Sequence, residues 1–170
     1  MKRSAAFALV ALLCLGAAKP RAPALEAGAA FPAFALKTTA GAPVAGDVLR
    51  GRLTLLNFFF ADCGRCIAEV PTLNAYAHQH PEVQVLAVTF DDAAVATKFA
   101  EQRKLRWPVL ADGRALVDAS GVVGVPTFIL VGPDAKVRAM SASAAISGKG
   151  KALDVATLSR WVAGHRKATL

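Results

Sequence analysis

The chain has 170 residues, 55% hydrophobic and 19% charged, with 20 Lys and Arg against 12 Asp and Glu for a formal charge of +8. That is about one domain's length with enough apolar content for a core, which excludes a long disordered chain, and 13 Gly and 9 Pro exclude a collagenous or low-complexity one. The 3 Cys are too few for a disulfide scaffold, and scattered basic residues without interleaved aromatics give no support to nucleic-acid binding.

In chain order, Lys2 and Arg3 precede an apolar stretch from Ala5 to Leu15 that closes on Gly16-Ala17-Ala18. This order of charge, apolar run and small residues reads as a secretory signal cleaved after Ala18. The run is short of the ~20 residues that span a bilayer, so a permanent tether by an uncleaved segment is the lesser alternative. Lipidation of Cys14 is disfavoured, because Leu13 stands where lipoprotein signals carry a small residue. Residues 1–18 are thus read as signal, 19–30 as a Pro- and Ala-rich linker and 31–170 as the folded domain, in an exported, periplasmic protein.

Arg52 to Phe60 and Val83 to Phe90 are dense apolar runs of strand length, the second bounded by Pro81 and Asp91-Asp92, and both suit buried central strands. Between them, Ile67, Val70, Leu73 and Ala77 recur three to four apart, which places them on one face of a helix over Arg65 to His78, with Pro71 expected to kink it. Ala93 to Lys104 reads as a second helix, Val109-Leu110 as a short extended piece and Leu116 to Ser120 as a helical turn closed by Gly121. Thr127 to Val131 and Val137 to Met140 flank Gly132-Pro133-Asp134-Ala135, a turn in which Gly and Pro set the dihedrals of an antiparallel hairpin. Asp154 to Arg166 ends the chain as a helix. The order implies parallel crossovers finished by a hairpin, an α/β class.

Cys63-Gly64-Arg65-Cys66 falls at the junction of the first long strand and the first helix. A thiol at a helix N-terminus meets the positive end of the dipole and free amides, which favour the nucleophilic thiolate. Cys63 is the expected attacker, and Cys66, one turn on, can attack the mixed disulfide and release the partner. His78, His80 and His165 stand in no zinc-like spacing to the cysteines and are read as surface or helix-end residues, so no metal and no cofactor beyond the redox-active Cys63–Cys66 disulfide is expected.

Four stretches, FPAFALKTTAGAPVAGDVLRG with LTLLNFFFADC, then CGRCIAEVP, VQVLAVTFDD and GVVGVPTFILVGPDAKV, resemble the thioredoxin superfamily and within it the TlpA-like redoxins with an AhpC/TSA-type N-terminal extension. The resemblance covers roughly Phe31 to Ala163. It implies a thioredoxin-like fold, a central mixed β-sheet flanked by helices. It also implies a cis Pro126 facing the dithiol, and a Val125 backbone that pairs with bound client, with Gly64 and Arg65 on the same binding side. Glu69 matches the acid of the C-x-x-C-x-x-E-x-P pattern, placed to take the Cys66 proton; the other reading is an exposed helical Glu. Asn57 stands where cytosolic thioredoxins carry a buried Asp. The usual Trp and Pro before the two cysteines are replaced by Asp62 and Arg65. Arg65 should stabilise the Cys63 thiolate and Asp62 oppose it, each by about 1 kcal/mol if exposed near 4 Å. Phe59 or Phe60 is expected to replace the missing Trp as an apolar platform.

The resemblance favours a thiol:disulfide oxidoreductase that reduces disulfides in exported proteins, apocytochrome c being one client by analogy, as a monomer recharged by a membrane dithiol donor. Oxidation or isomerisation is the lesser direction. A peroxiredoxin-like peroxidase is one alternative, against which Phe60 occupies the place of the upstream hydroxyl. A copper-binding chaperone module of the same fold is another, against which stands the spacing of two residues rather than three between the cysteines.

Overall fold

A computed structural model describes residues 22–167; the signal read over 1–18, Cys14 within it and the start of the linker lie outside the described residues. Seven strands among them form one mixed sheet in the order β2-β1-β5-β4-β3-β6-β7. Its centre is β3 (Leu53–Phe59), parallel to β4 (Val83–Thr89) and antiparallel to β6 (Thr127–Val131). Every residue of β3 after Leu53 is buried, because both faces of the sheet are covered, and this is why the strand reads as a continuous apolar run rather than an alternation.

Alternation along β3 still sorts the core. Leu55 and Phe59 join one apolar cluster with Val70 and Leu73 of α1 (Gly64–Gln79) and Leu158 and Val162 of α5 (Val155–His165). Leu56 and Phe58 join the other with Leu116 and Val117 of α3 (Arg114–Ala119) and Phe31. α2 (Ala93–Arg103) is capped by Asp92, whose carboxylate accepts from the Val95 N–H, and reaches β5 (Val109–Ala111).

Three departures from expectation concern short elements. The N-terminal extension adds an edge hairpin, β1 (Ala35–Thr38) with β2 (Pro43–Ala45), whose alternating half-exposed residues carry no strong strand signal. β7 runs over Val137–Ala142 and passes directly into α4 (Ser143–Ser147), a helix too short for a readable period. Ordering also begins before Phe31: the Gly28 N–H donates to the Val137 carbonyl and the Val137 N–H to the Ala29 carbonyl, both 2.8 Å.

Pro71 lies inside α1, on its exposed side. One expectation about glycine changes in detail. In the β6–β7 turn the left-handed residue is Ala135 (φ 59°), not Gly132, where an added Cβ would meet only the guanidinium end of the Arg138 side chain.

Candidate active site

β3 ends at Phe59 and α1 starts at Gly64, so the intervening turn presents Cys63 as the N-cap of α1 at the end of the central strand. The turn is held from both sides. The Cys63 N–H donates to the Phe60 carbonyl (3.1 Å), and Asp91, just past β4, accepts from the Ala61 N–H and the Thr89 hydroxyl at 2.7 Å each. Cys63 and Cys66 are joined as a disulfide, and the Cys66 N–H points at Cys63 Sγ (3.1 Å). In the dithiol form that amide, at the positive end of α1, is the donor that a Cys63 thiolate would use. Both cysteines are buried in the same cluster as Phe128 and Leu158.

Glu69 is buried, not an exposed helical acid. The Ser143 hydroxyl and the Arg65 Nε (3.1 Å) both donate to its Oε1, while its Oε2 has no partner among the described residues. Burial pushes the Glu69 carboxyl above its ordinary range, and the Ser143 and Arg65 hydrogen bonds only partly counter it. Arg65 is drawn the same way: its guanidinium also donates to Ser147 Oγ (2.9 Å) and the Lys151 carbonyl (3.2 Å). The influence expected of it on Cys63 is therefore directed at Glu69. Asp62, by contrast, is exposed beside Cys63.

The Val125-Pro126 bond is cis, Pro126 is buried, and its carbonyl accepts from the Ser143 N–H (2.9 Å). Val125 packs half-buried against the cysteine cluster, and Gly64 is exposed. Asn57 lies between Leu55 and Phe59 on the cysteine side of β3, its Oδ1 buried without a partner among the described residues. Of the two candidate platforms, Phe59 is core, stacked on Phe99 at 4.9 Å, and Phe60 is half-buried against Phe90 at 5.5 Å. The histidines stay away from the cysteines' hydrogen bonds; His80 caps α1 and binds Ser159 (2.7 Å).

Residues 27–140 match the AhpC/TSA family. The chain belongs to that family. It is a TlpA-like redoxin of the thioredoxin superfamily, among the thiol:disulfide oxidoreductases. Thiol-disulfide oxidoreductase ResA of Bacillus thuringiensis is 30% identical over 117 residues, which cover 66% of this chain and 68% of that protein. A solved structure of a secreted Mycobacterium tuberculosis disulfide oxidoreductase homologous to E. coli DsbE is 25% identical, with a TM-score of 0.65 over 77% of this chain and 95% of that one. The thioredoxin domain of a Bacteroides vulgatus thiol-disulfide oxidoreductase, 23% identical, shares the fold with a TM-score of 0.70 over 85% and 100% of the two chains.

Within the redoxin, sequence reasoning brought together Cys63, Cys66 and Glu69 but missed the residues that hold them. Ser143 and Ser147 come from an Ala- and Ser-rich run without period, delivered to α1 by the β6–β7 hairpin. Asp91 was legible only as the polar end of a strand.

Proposed function

We propose that the redoxin is exported and acts as a dithiol reductant of disulfides in other exported proteins, the haem-attachment cysteines of apocytochrome c among the candidates. The observation that carries the direction is the Arg65–Glu69 pair. A strong oxidant stabilises its reduced form by placing positive charge beside the attacking thiolate. Here the cation between the cysteines is committed to Glu69, Ser147 and the Lys151 carbonyl, and the adjacent acid Asp62 opposes the thiolate. The reduced form gains little from its surroundings, so electrons leave readily. Export is supported by the signal pattern at the N-terminus.

In the reaction, the Cys63 thiolate attacks one sulfur of the client disulfide, forming a mixed disulfide and expelling a client thiolate that takes a proton from water. Cys66 gives its proton to Glu69, whose burial makes the carboxylate a better base, and attacks Cys63 Sγ. The Cys63–Cys66 disulfide closes, the second client thiolate leaves, and two electrons have passed to the client. The cis-proline loop at Val125 and Pro126, with Gly64, lies on the client side. A membrane dithiol donor then restores the reduced pair.

Equilibration of the purified protein against glutathione and dithiothreitol ratios, read by thiol alkylation, is expected to give a potential near the roughly −270 mV of thioredoxin. A value near about −120 mV would overturn the direction. Failure to cycle at any ratio would overturn dithiol exchange itself.

A further inference from the structure

We propose that the cavity beside the dithiol is a charge-selective client subsite. It takes an apolar side chain of an extended client segment, while the Arg114 guanidinium pairs with a carboxylate next to that side chain. The redoxin then prefers cysteines set in acidic, apolar sequence. This rests on the dithiol-exchange reading above and names its substrate class.

The cavity has a volume of about 240 Å³ and is walled by Phe60, Phe90, Val122, Val123 and Val125, with Arg114 its charged lining residue. It adjoins the turn that carries Cys63. The Phe60 carbonyl accepts from the Cys63 N–H, and Phe60 and Val125 both pack on the cluster that holds Cys63 and Cys66. Val123 is 79% exposed. Single exposed apolar residues are ordinary, but this one adjoins an apolar cavity on the loop that leads into Pro126. The occupant is a polypeptide rather than a small thiol, because the Val125 N–H and carbonyl have no backbone partner among the described residues and lie just before β6. A free donor and acceptor at that place suit a segment added as an extra strand.

The charge is set by Arg114. The exposed Arg114 side chain places its guanidinium 3.9 Å from the centroid of the Phe90 ring, resting on the cavity wall in a cation–π contact. Neither Asp112, two residues before it, nor Asp118, one turn on in α3, pairs with it, and among the described residues it forms no ion pair. A planar cation held in place with its donors free matches a carboxylate, and a Lys or Arg of a client at the same spot meets like charge.

The test compares two disulfide-linked peptides that differ only in carrying Leu-Glu or Leu-Lys beside each cysteine. Rates of reduction by the dithiol protein at low ionic strength are divided by those of free dithiothreitol with the same peptides, which removes the peptides' intrinsic reactivity. Wild-type protein is expected to favour the Glu peptide about two- to fivefold, the range for an exposed ion pair. R114E should reverse the preference and R114Q should abolish it. Equal rates in wild type, or a preference that survives both substitutions, would overturn the subsite. Reduction of the wild-type disulfide by dithiothreitol and its reoxidation by oxidised glutathione is the separate control: its failure would instead overturn the dithiol reading beneath it.

Discussion

Glu69 is a carboxyl in a place that does not suit a carboxylate: buried, bonded through one oxygen to Ser143 and Arg65, and with the other oxygen unpartnered among the described residues. The folded chain therefore holds its proton more tightly than the unfolded chain, where the group titrates near 4.5. By linkage, stability falls as pH rises from that value through the higher folded one, and is regained as pH is lowered again. Asp134, held below its ordinary range by Arg138, Asp154, held there by the Thr157 N–H, and Glu82, held there by its own backbone N–H, act in the opposite sense as pH falls below about 4.5, at and beyond the lower edge of this window. The urea midpoint of the oxidised protein is expected to rise as pH falls from neutrality toward about 4.5, and Glu69→Gln should flatten that slope while slowing client reduction by about 10²-fold through loss of the base. An unchanged slope in Glu69→Gln would show that burial does not govern this carboxyl. The sequence placed Glu69 one turn beyond Cys66, which spacing alone supports. Its burial was not legible, because Ser143 lies 74 residues from Glu69, and Ser147 lies 82 residues from its partner Arg65, both arriving by way of the hairpin.

Long elements were legible because their patterns are determined by the sheet they build. β3 and β4 are covered on both faces and so are uninterrupted apolar runs, and α1 and α5 each bury a stripe against one face. β1, β2 and α4 are short and half-exposed, and are held by pairing or by a neighbour rather than by their own residues. The same holds for the segment before Phe31, read as linker, whose anchoring shows only in space. Gly121 follows α3 at φ 65°, and a Cβ there would lie 2.3 Å from the Pro23 carbonyl oxygen. Backbone, not a flexible side-chain end, fills that space. Gly121→Ala is expected to cost about 2 kcal/mol or more, combining left-handed strain with a clash that only displacement of residues 22–24 can relieve. A lowered urea midpoint together with faster proteolysis of the folded protein within residues 22–30 checks it. A lowered midpoint without faster cleavage would mean that the segment does not depend on Gly121.

The whole molecule is two apolar clusters on the two faces of one sheet, and the redox pair is part of one of them. Cys63 and Cys66 are buried with Phe59, Val70, Phe128 and Leu158, so the folded state and the redox state are coupled through packing. Consider the cycle that links oxidised and reduced, folded and unfolded protein. If folding favours the disulfide over the dithiol, the oxidised protein must be more stable than the reduced one, and the native pair is then more reducing than the same Cys-x-x-Cys in the unfolded chain. Each 1.4 kcal/mol of difference in unfolding free energy corresponds to about 30 mV for this two-electron couple. An oxidant requires the reverse, since its native fold stabilises the reduced form. Arg65 turned toward Glu69 and Asp62 exposed beside Cys63 leave the thiolate with little support beyond the N-terminus of α1. The oxidised protein is therefore expected to unfold at higher urea concentration than the dithiol form at neutral pH, with similar urea dependence in both. A reduced form that outlasts the oxidised one would make the native pair more oxidising than the same Cys-x-x-Cys in the unfolded chain and would overturn the expected sign, because a cycle closed within the chain does not depend on client or donor.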